Sequence, residues 1–231
     1  MQSTSELYKQ LLYAEARKEL RLVIAGTEYS EADIISCSVS GGLFTNLSIG
    51  NAASRQIDVQ IVPKGQIPKQ ARIEVYVRLT DGVQYSEWIP KGVYFFATRE
   101  TDKRTGVMTV LGYDAMLKAE QVWLDNSYDT ENWPMPVDDA VADICARMGV
   151  ELDERTVLNP NHPVHYPVDE SGDMTMRAVL RRIAVANAGN WRMTDEGKLL
   201  LVPLVSIPAE TNYLVTEHGQ AITIGGVRIL V

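Results

Sequence analysis

The stretch Gly92–Met116, GVYFFATRETDKRTGVMTVLGYDAM, decides how the first half of the chain folds. Two apolar runs rich in β-forming residues flank a charged and polar centre, a pattern that predicts a β-hairpin. In the first run Val93 and Phe95 alternate with Tyr94 and Phe96, so both faces of the strand carry apolar side chains. We therefore expect this strand to be covered on both sides, by a sheet core and by another module or subunit.

The charges beside the predicted turn have the residue types of a catalytic site. Arg99, Glu100 and Asp102 lie at the end of a strand and in its turn, where charged side chains normally contact water. Ser40 lacks the G-x-S-x-G pattern of a nucleophile elbow. Cys145 falls inside a predicted helix, where an inert thiol is expected. No phosphate-binding or dinucleotide-binding glycine pattern is present, so we predict no catalytic residue, no cofactor and no enzyme.

Two segments have residues that metals bind. His162 and His165 are followed closely by Asp169 and Glu170, but the prolines around them favour an extended segment in which residues three apart point to opposite faces. Asp125, Ser127, Asp129 and Glu131 stand at alternate positions, but the segment 125–136 lacks the glycine and the final acid of a calcium-binding loop. We therefore predict no metal site.

The composition of the chain limits its partners. It has 231 residues, 45% of them hydrophobic, and a net charge of -8, which disfavours a broad basic surface that holds nucleic acid. An acidic protein suits a passage through which DNA slides without sticking. Neither a secretory signal nor a membrane-spanning run is present, and we expect Cys37 and Cys145 to be free thiols of a protein made in a reducing cytosol.

The first 120 residues are predicted to form one domain. Residues 5–20 have helical spacing, and about six β runs with turn residues between them follow over residues 20–113. The dipeptide Asp81-Gly82 marks one of the hairpins. This spacing is typical of a small antiparallel barrel or sandwich.

After a short helix that begins near Asp114, the sequence pattern changes from β runs to helices and a hairpin. Two amphipathic helices are predicted, one from residue 137 to a cap at Gly149 and one over residues 174–188, and a β-hairpin turns at residues 195–197. Residues 121–205 thus form a small α+β domain, and 206–231 hold two strand-like runs that open a further β element. The fold class is α+β. The four tryptophans are expected in a core or seam, or as anchors for a partner: Trp88, Trp123, Trp133 and Trp191.

The order of several segments resembles the tail hub or tail-tip (baseplate hub-like) proteins of tailed bacteriophages and prophages. These segments are ELYKQLL, DIISCSVSGGLFTNLSIGNAASRQIDVQIVP, SEWIPKGVYFFATRETDKRTGVMTVLGYDAMLKAE, WPMPVDDAVADICARMGVELD, TMRAVLRRIAVANAGNWRMTDEGKLLLVPL and ITIGGVRILV. The resemblance covers nearly the whole chain and rests on segment order, since none of the stretches is diagnostic alone.

The resemblance implies a tube-like N-terminal β-barrel, an inserted α/β module and a second, related barrel. Proteins of this kind assemble as trimers whose barrels form a pseudo-sixfold ring, matching the tail tube above while a spike or fibre is held below. We expect a structural role in the virion tail, synthesis in the bacterial cytoplasm, and DNA only as a passing molecule. The roughly 26 residues after the inserted module are too few for a second barrel, so we expect a truncated chain or a shortened variant, and in either case the trimer and the pseudo-sixfold match stay open for this chain alone.

Two other interpretations stay open from the residues. A cell-wall-binding or cell-wall-degrading tail module would use the four tryptophans and the surplus of carboxylates. An unrelated cytosolic β-barrel adaptor would need none of these features.

Overall fold

The computed structural model describes residues 4–43, 48–124, 133–165 and 174–204, and the backbone of two short strands beyond them. The described helices are α1 (Glu6–Leu12), α2 (Val137–Met148), α3 (Met176–Ala186) and a 3₁₀ helix (Ala115–Glu120). The described strands are β1 (Arg17–Ile24), β2 (Thr27–Tyr29), β3 (Ile34–Ser40), β4 (Gln56–Ile61), β5 (Arg72–Thr80), β6 (Ile89–Thr101), β7 (Met108–Asp114), β8 (Val122–Leu124), β9 (Met174–Thr175), β10 (Gly189–Met193), β11 (Leu199–Pro203), β12 (Thr223–Ile224) and β13 (Val227–Arg228). Within these residues, each helix is too short or too polar to cross a bilayer. The α+β class is confirmed.

A seven-stranded antiparallel sheet forms the first unit, in the order β2-β1-β5-β6-β7-β4-β3. Its concave face carries a core of mostly β-branched and aromatic side chains, which fit a pleated surface. Strand β4 shows the pattern plainly, because Ile57, Val59 and Ile61 are fully buried while Asp58 between them is exposed. The predicted alternation of this strand is confirmed.

The two end strands of the sheet are neighbours in the chain. Only the turn Ser30–Asp33 separates β2 from β3, and the Asp33 carboxylate accepts from the Ser30 amide at 2.8 Å to hold it. Lys64, just after β4, pairs with Asp33 at 2.7 Å and donates to the Glu28 carbonyl at 2.9 Å. Both ends of the sheet are thus tied to one corner, so the sheet curls into a half-barrel.

The second unit packs two helices against the hairpin β10–β11 around its own core. Trp123 and Trp191 are fully buried there, and each indole N–H has an acceptor, Asp143 at 2.6 Å and the Leu180 carbonyl at 2.8 Å. Helix α2 ends, as predicted, at Gly149, whose φ of 65° is the left-handed conformation that glycine adopts without strain. The hairpin predicted at residues 195–197 is confirmed.

The long connection between β3 and β4 joins the two units. Its residues 50–53 run beside β10, with the Gly50 amide bonded to the Gly189 carbonyl at 3.0 Å and the Trp191 amide bonded to the Asn51 carbonyl at 2.8 Å. A side chain at Gly50 would meet Val185 of α3, since an added Cβ would lie 2.4 Å from its Cγ2. This close approach positions the sheet against α3.

Some predicted boundaries are wrong. The helix expected over residues 5–20 ends at Leu12, and β1 begins at Arg17, because strand pairing with β5 overrides the helical spacing. The second long helix spans Met176–Ala186 instead of 174–188, and β2 adds a seventh strand to the sheet. The domain boundaries at residues 120 and 205 stay predictions. Most of residues 206–231 lie outside the described part of the chain.

Candidate assembly surface

Strand β3 forms one free edge of the sheet. Its sequence, IISCSVS, contains no charged residue and no proline. Five of its seven side chains are exposed, and the other two, Ile34 and Cys37, are partly buried. Strand β4 pairs with one side of β3, and no described residue pairs with the other side. An open edge of this kind presents unpaired N–H and C=O groups to an incoming strand, and proteins normally protect it with Lys or Pro. This edge lacks that protection.

The inward face of β3 is also incompletely covered. Val39 is paired with Ile57, whose side chain is fully buried, yet Val39 itself is 42% exposed. The reason is that β2 is three residues long and pairs only with the last part of β1, so no described strand lies beside residues 37–40. An added strand would bury Val39 and would extend the sheet.

Ion pairs bridge the gap between β1 and β3 near the turn that joins β2 to β3. Arg17 of β1 pairs with Glu31 in the turn between β2 and β3, and Arg21 pairs with Glu28 at 3.2 Å. Such exposed pairs contribute little to stability. Side chains, not a backbone ladder, therefore close this side of the sheet.

A stack of aromatic rings and guanidinium groups covers the convex face of the sheet beside the gap between β1 and β3. The guanidinium carbon of Arg21 lies 4.7 Å from the ring centroid of Tyr76 and 4.6 Å from that of Trp88. Arg78 continues the stack, 4.4 Å from Trp88 and 4.3 Å from Tyr85. We call these five residues the stacked face. Tyr85 is 50% exposed, and Trp, Tyr and Arg are the residues on which protein interfaces most often depend.

The hairpin β6–β7 extends past the core as an exposed, charged tip. The Asp102 carboxylate accepts from the Arg104 amide at 2.8 Å, and these backbone contacts lower the pKa of Asp102. Arg99 instead donates to the carbonyls of Ile67 and Pro68 in the neighbouring loop. The charges that resembled a catalytic group thus organise a turn and hold a loop.

The seam between the two units contains the most deeply buried charges. Asp114 is fully buried and accepts from the Ser54 hydroxyl at 2.8 Å and the Arg55 amide at 2.9 Å. Arg55 reaches across to the second unit, donating to Asp195 at 2.6 Å and to the Thr194 carbonyl at 3.1 Å. Burial raises the pKa of Asp114.

A buried tyrosine completes this seam cluster. Its hydroxyl donates to the Lys91 carbonyl at 3.2 Å, and burial raises the pKa of Tyr94 to about 12. The predicted two-sided cover of β6 is confirmed, since Tyr94 and Phe96 face the core of the sheet while Phe95 packs against the second unit. The cluster is a structural lock, and its members are separated too widely in sequence for any spacing motif to reveal it.

The other residues singled out in the sequence are dispersed. Cys37 and Cys145 are free thiols in different units, and burial raises the pKa of each to about 11. His162 and His165 both line one groove beside α3, so the expectation that they point to opposite faces is wrong, whereas Asp169 and Glu170 lie outside the described residues. Among the described residues, no three metal-ligating side chains cluster. The acidic segment that resembled a calcium loop is largely outside the described residues as well.

Comparisons with known proteins identify relatives of the fold. No family model matches the chain, and no curated protein matches it by sequence. Among solved structures, it is similar to the 43 kDa tail protein of prophage MuSo2 from Shewanella oneidensis, with a TM-score of 0.51 and 12% identity over 86% of this chain. It is also similar to a tail protein from Neisseria meningitidis MC58, with a TM-score of 0.50 and 13% identity over 80% of this chain.

The likeness extends over part of these proteins. This chain covers 59% of the Shewanella protein and 51% of the Neisseria protein. Since the identities are low, the likeness concerns the fold. The resemblance to phage and prophage tail proteins inferred from segment order is confirmed at that level.

Proposed function

We propose that this chain is a structural component of a phage or prophage tail tip or baseplate hub, without catalytic activity. It would join the tail tube to a spike or fibre. The observation that carries the proposal is the uncharged open edge of β3, in a chain whose fold is similar to that of two tail proteins. A protein that works alone would normally protect such an edge, whereas a subunit of an assembly covers it with a neighbour.

In this proposal the curled sheet is the wall of a tube-like barrel. Copies of the chain associate through their sheets, as a homotrimer, and the ring they form encloses a path for DNA. The net charge of -8 supports this role, because like charge keeps DNA from adhering to the wall while it passes. The protein then belongs to the virion tail and is made in the cytoplasm of the host.

The stacked face supports a second contact, with the neighbouring tube or spike protein. It lies on the convex side of the sheet, away from the core, and it is continuous with a groove of about 410 Å³ that Glu19 and Lys64 also line. Two arginines on aromatic rings give a rigid, partly apolar surface that needs little ordering when it binds.

A substitution at the edge tests the proposal directly. Val39→Lys places a charge on the inward face of β3, where it opposes strand addition, and it should leave the Tm almost unchanged because Val39 is 42% exposed. Light scattering on the full chain, with and without the adjacent tail-tube and spike proteins, should show assembly for the wild type and its loss for Val39→Lys.

The matched control is Val157→Lys, the same replacement at a loop residue that is 82% exposed, which should assemble normally. A wild-type chain that stays monomeric and binds neither neighbour would overturn the hub proposal. Equal assembly by both lysine variants would exclude β3 as the contact.

The alternative of a cell-wall-binding or cell-wall-degrading module has less support. Trp123 and Trp191 are buried, and Trp88 already has two guanidinium groups over its ring, so these three indoles are not free to stack on a sugar. Incubation with purified peptidoglycan tests this alternative. Pelleting of the protein or release of soluble fragments would favour it over the hub.

A further inference from the structure

A groove of about 400 Å³ lies between the extended segment at residues 161–165 and helix α3. Apolar side chains of both elements form its floor, and two histidines and an arginine stand around it. The apolar members are Pro163, Val164, Val179, Ile183 and Ala186, and the polar members are Asn161, His162, His165 and Arg182. Its volume is within the range of sites for small ligands.

The extended wall of the groove is anchored at two points. Val164 and Met135 exchange both backbone hydrogen bonds at 2.8 Å. Nearer its start, the Asn159 amide donates to the side chain of Asn187, at the end of α3, at 2.7 Å. The groove is therefore formed before any ligand arrives, which lowers the entropic cost of binding.

The charge of this groove differs from that of the protein. The chain carries 30 acidic and 22 basic side chains, yet none of the nine described residues that line the groove is acidic. The groove beside the stacked face, by contrast, includes Glu19, Glu28 and Glu31, and a groove beside Phe95 and Gly197 includes Glu151 and Glu196. The groove thus combines an apolar floor with donors that recognise an anion.

Arg182 differs from the other arginines of α3. Arg177 pairs with Glu120, and Arg181 donates to the Gly50 carbonyl at 3.3 Å. Within the described residues, the exposed guanidinium of Arg182 has neither a hydrogen bond nor an ion pair. A guanidinium binds a carboxylate through two parallel hydrogen bonds, and a histidine N–H adds a further donor.

We propose that this groove binds the C-terminal end of a peptide that finishes in an apolar residue. The terminal carboxylate pairs with Arg182 at the rim, with His162 and His165 as additional donors, and the last side chain lies on the apolar floor beside Val179 and Ile183. The proposal does not depend on a role in a phage tail.

A blocked dipeptide provides the test. Titration of the full chain with N-acetyl-alanyl-leucine, followed by NMR or calorimetry, should give saturable binding, and the same dipeptide with an amidated C-terminus should bind about tenfold more weakly or not at all. The free acid 4-methylpentanoate measures how much of the binding the carboxylate and the leucine-like chain supply without a peptide bond. Binding of this acid as tightly as the dipeptide would replace a peptide ligand with a small acid.

Variants locate the site. Arg182→Gln should weaken dipeptide binding about tenfold, as expected when a charged hydrogen bond is lost, and Ala186→Leu should block the floor without changing the charge. Arg104→Gln in the exposed hairpin tip removes the same charge elsewhere and should bind like the wild type. Unchanged Tm values establish that these variants are folded. Equal binding of acid and amide, no effect of Arg182→Gln, or no saturable binding would overturn the proposal.

Discussion

At β3 the chain exposes a strand without a charged residue, whereas at the seam around Arg55 it buries charged side chains between two hydrophobic units. Buried charges in fixed geometry hold two parts of one molecule in a unique arrangement, at a cost in desolvation. An uncharged edge does the reverse, because its backbone groups accept any compatible strand. The difference separates contacts made within the chain from contacts left for partners.

The largest expected effect is at β6, between the two cores. Phe96 is 7% exposed in the core of the sheet, so Phe96→Ala should lower the free energy of unfolding by about 3–5 kcal/mol. Phe95 is half-buried against the second unit, so Phe95→Ala should lower the free energy of unfolding by less, about 1–3 kcal/mol. Urea denaturation measures both. The reverse order would mean that the seam contributes more than the core of the sheet.

Loss of the seam's central arginine should have the next largest effect. Arg55→Ala leaves Asp114 buried without its cation and removes both bonds to the second unit, which should cost about 2–3 kcal/mol. The control is Arg104→Ala, because Arg104 lies in the exposed hairpin tip, where its loss should cost less than about 0.5 kcal/mol. Similar urea midpoints for the two variants would contradict a locking role for Arg55.

Gly50 tests how closely the seam is packed. Gly50→Ala adds a methyl that would lie 2.4 Å from Val185, at a φ of 83°, and should cost about 1–3 kcal/mol. The double variant with Val185→Ala removes the collision but keeps the backbone strain, so it should regain part of the thermal stability that Gly50→Ala loses. No recovery would mean that backbone strain alone accounts for the loss.

The smallest expected effect is on the pH dependence of stability, and it concerns the contact between Asp153 and Arg155, away from the seam. A side-chain hydrogen bond from Arg155 lowers the pKa of Asp153 from 3.8 to about 2, so this contact stabilises the fold above pH 3.8 and is lost as the pH falls towards 2. The pH dependence at Asp114 has the opposite sign. Burial raises the pKa of Asp114, so its contribution to stability is lost as the pH rises. Melting curves between pH 4 and 2 should show a shallower decline for Asp153→Asn than for the wild type. Arg155→Gln should give the same shallower decline. A wild-type slope in both variants would show that the contact between Arg155 and Asp153 does not stabilise the fold.

Sequence alone predicted what depends on local periodicity and turn chemistry. Strand β4 follows from its alternation, and the end of α2 follows from Gly149. Strand β2 escaped prediction because three residues are too few to establish a period, and the first helix was overextended because pairing of β1 with β5 is a long-range effect.

The candidate sites were less accessible to prediction. Arg55 and Asp195 are 140 positions apart, and the stacking of Trp88 depends on how two strands and a loop meet in space. The apolar alternation of β6 did predict that the strand has two covered faces, because that property belongs to one segment. The open edge of β3 is a matter of topology, which the residues of β3 do not encode.

The strand order has a consequence for synthesis on the ribosome. Strand β1 pairs with its neighbour β2 and with β5, and β4 pairs with its neighbour β3 and with β7, so these two local strand pairs join one sheet only after a much later segment has been translated. Until then β3 and β4 can form only an isolated hairpin, which is marginally stable in water. The uncharged strand therefore has no completed sheet behind it for as long as the ribosome needs to reach residue 114, and a slower ribosome should leave more of the nascent chain to aggregate or to require a chaperone.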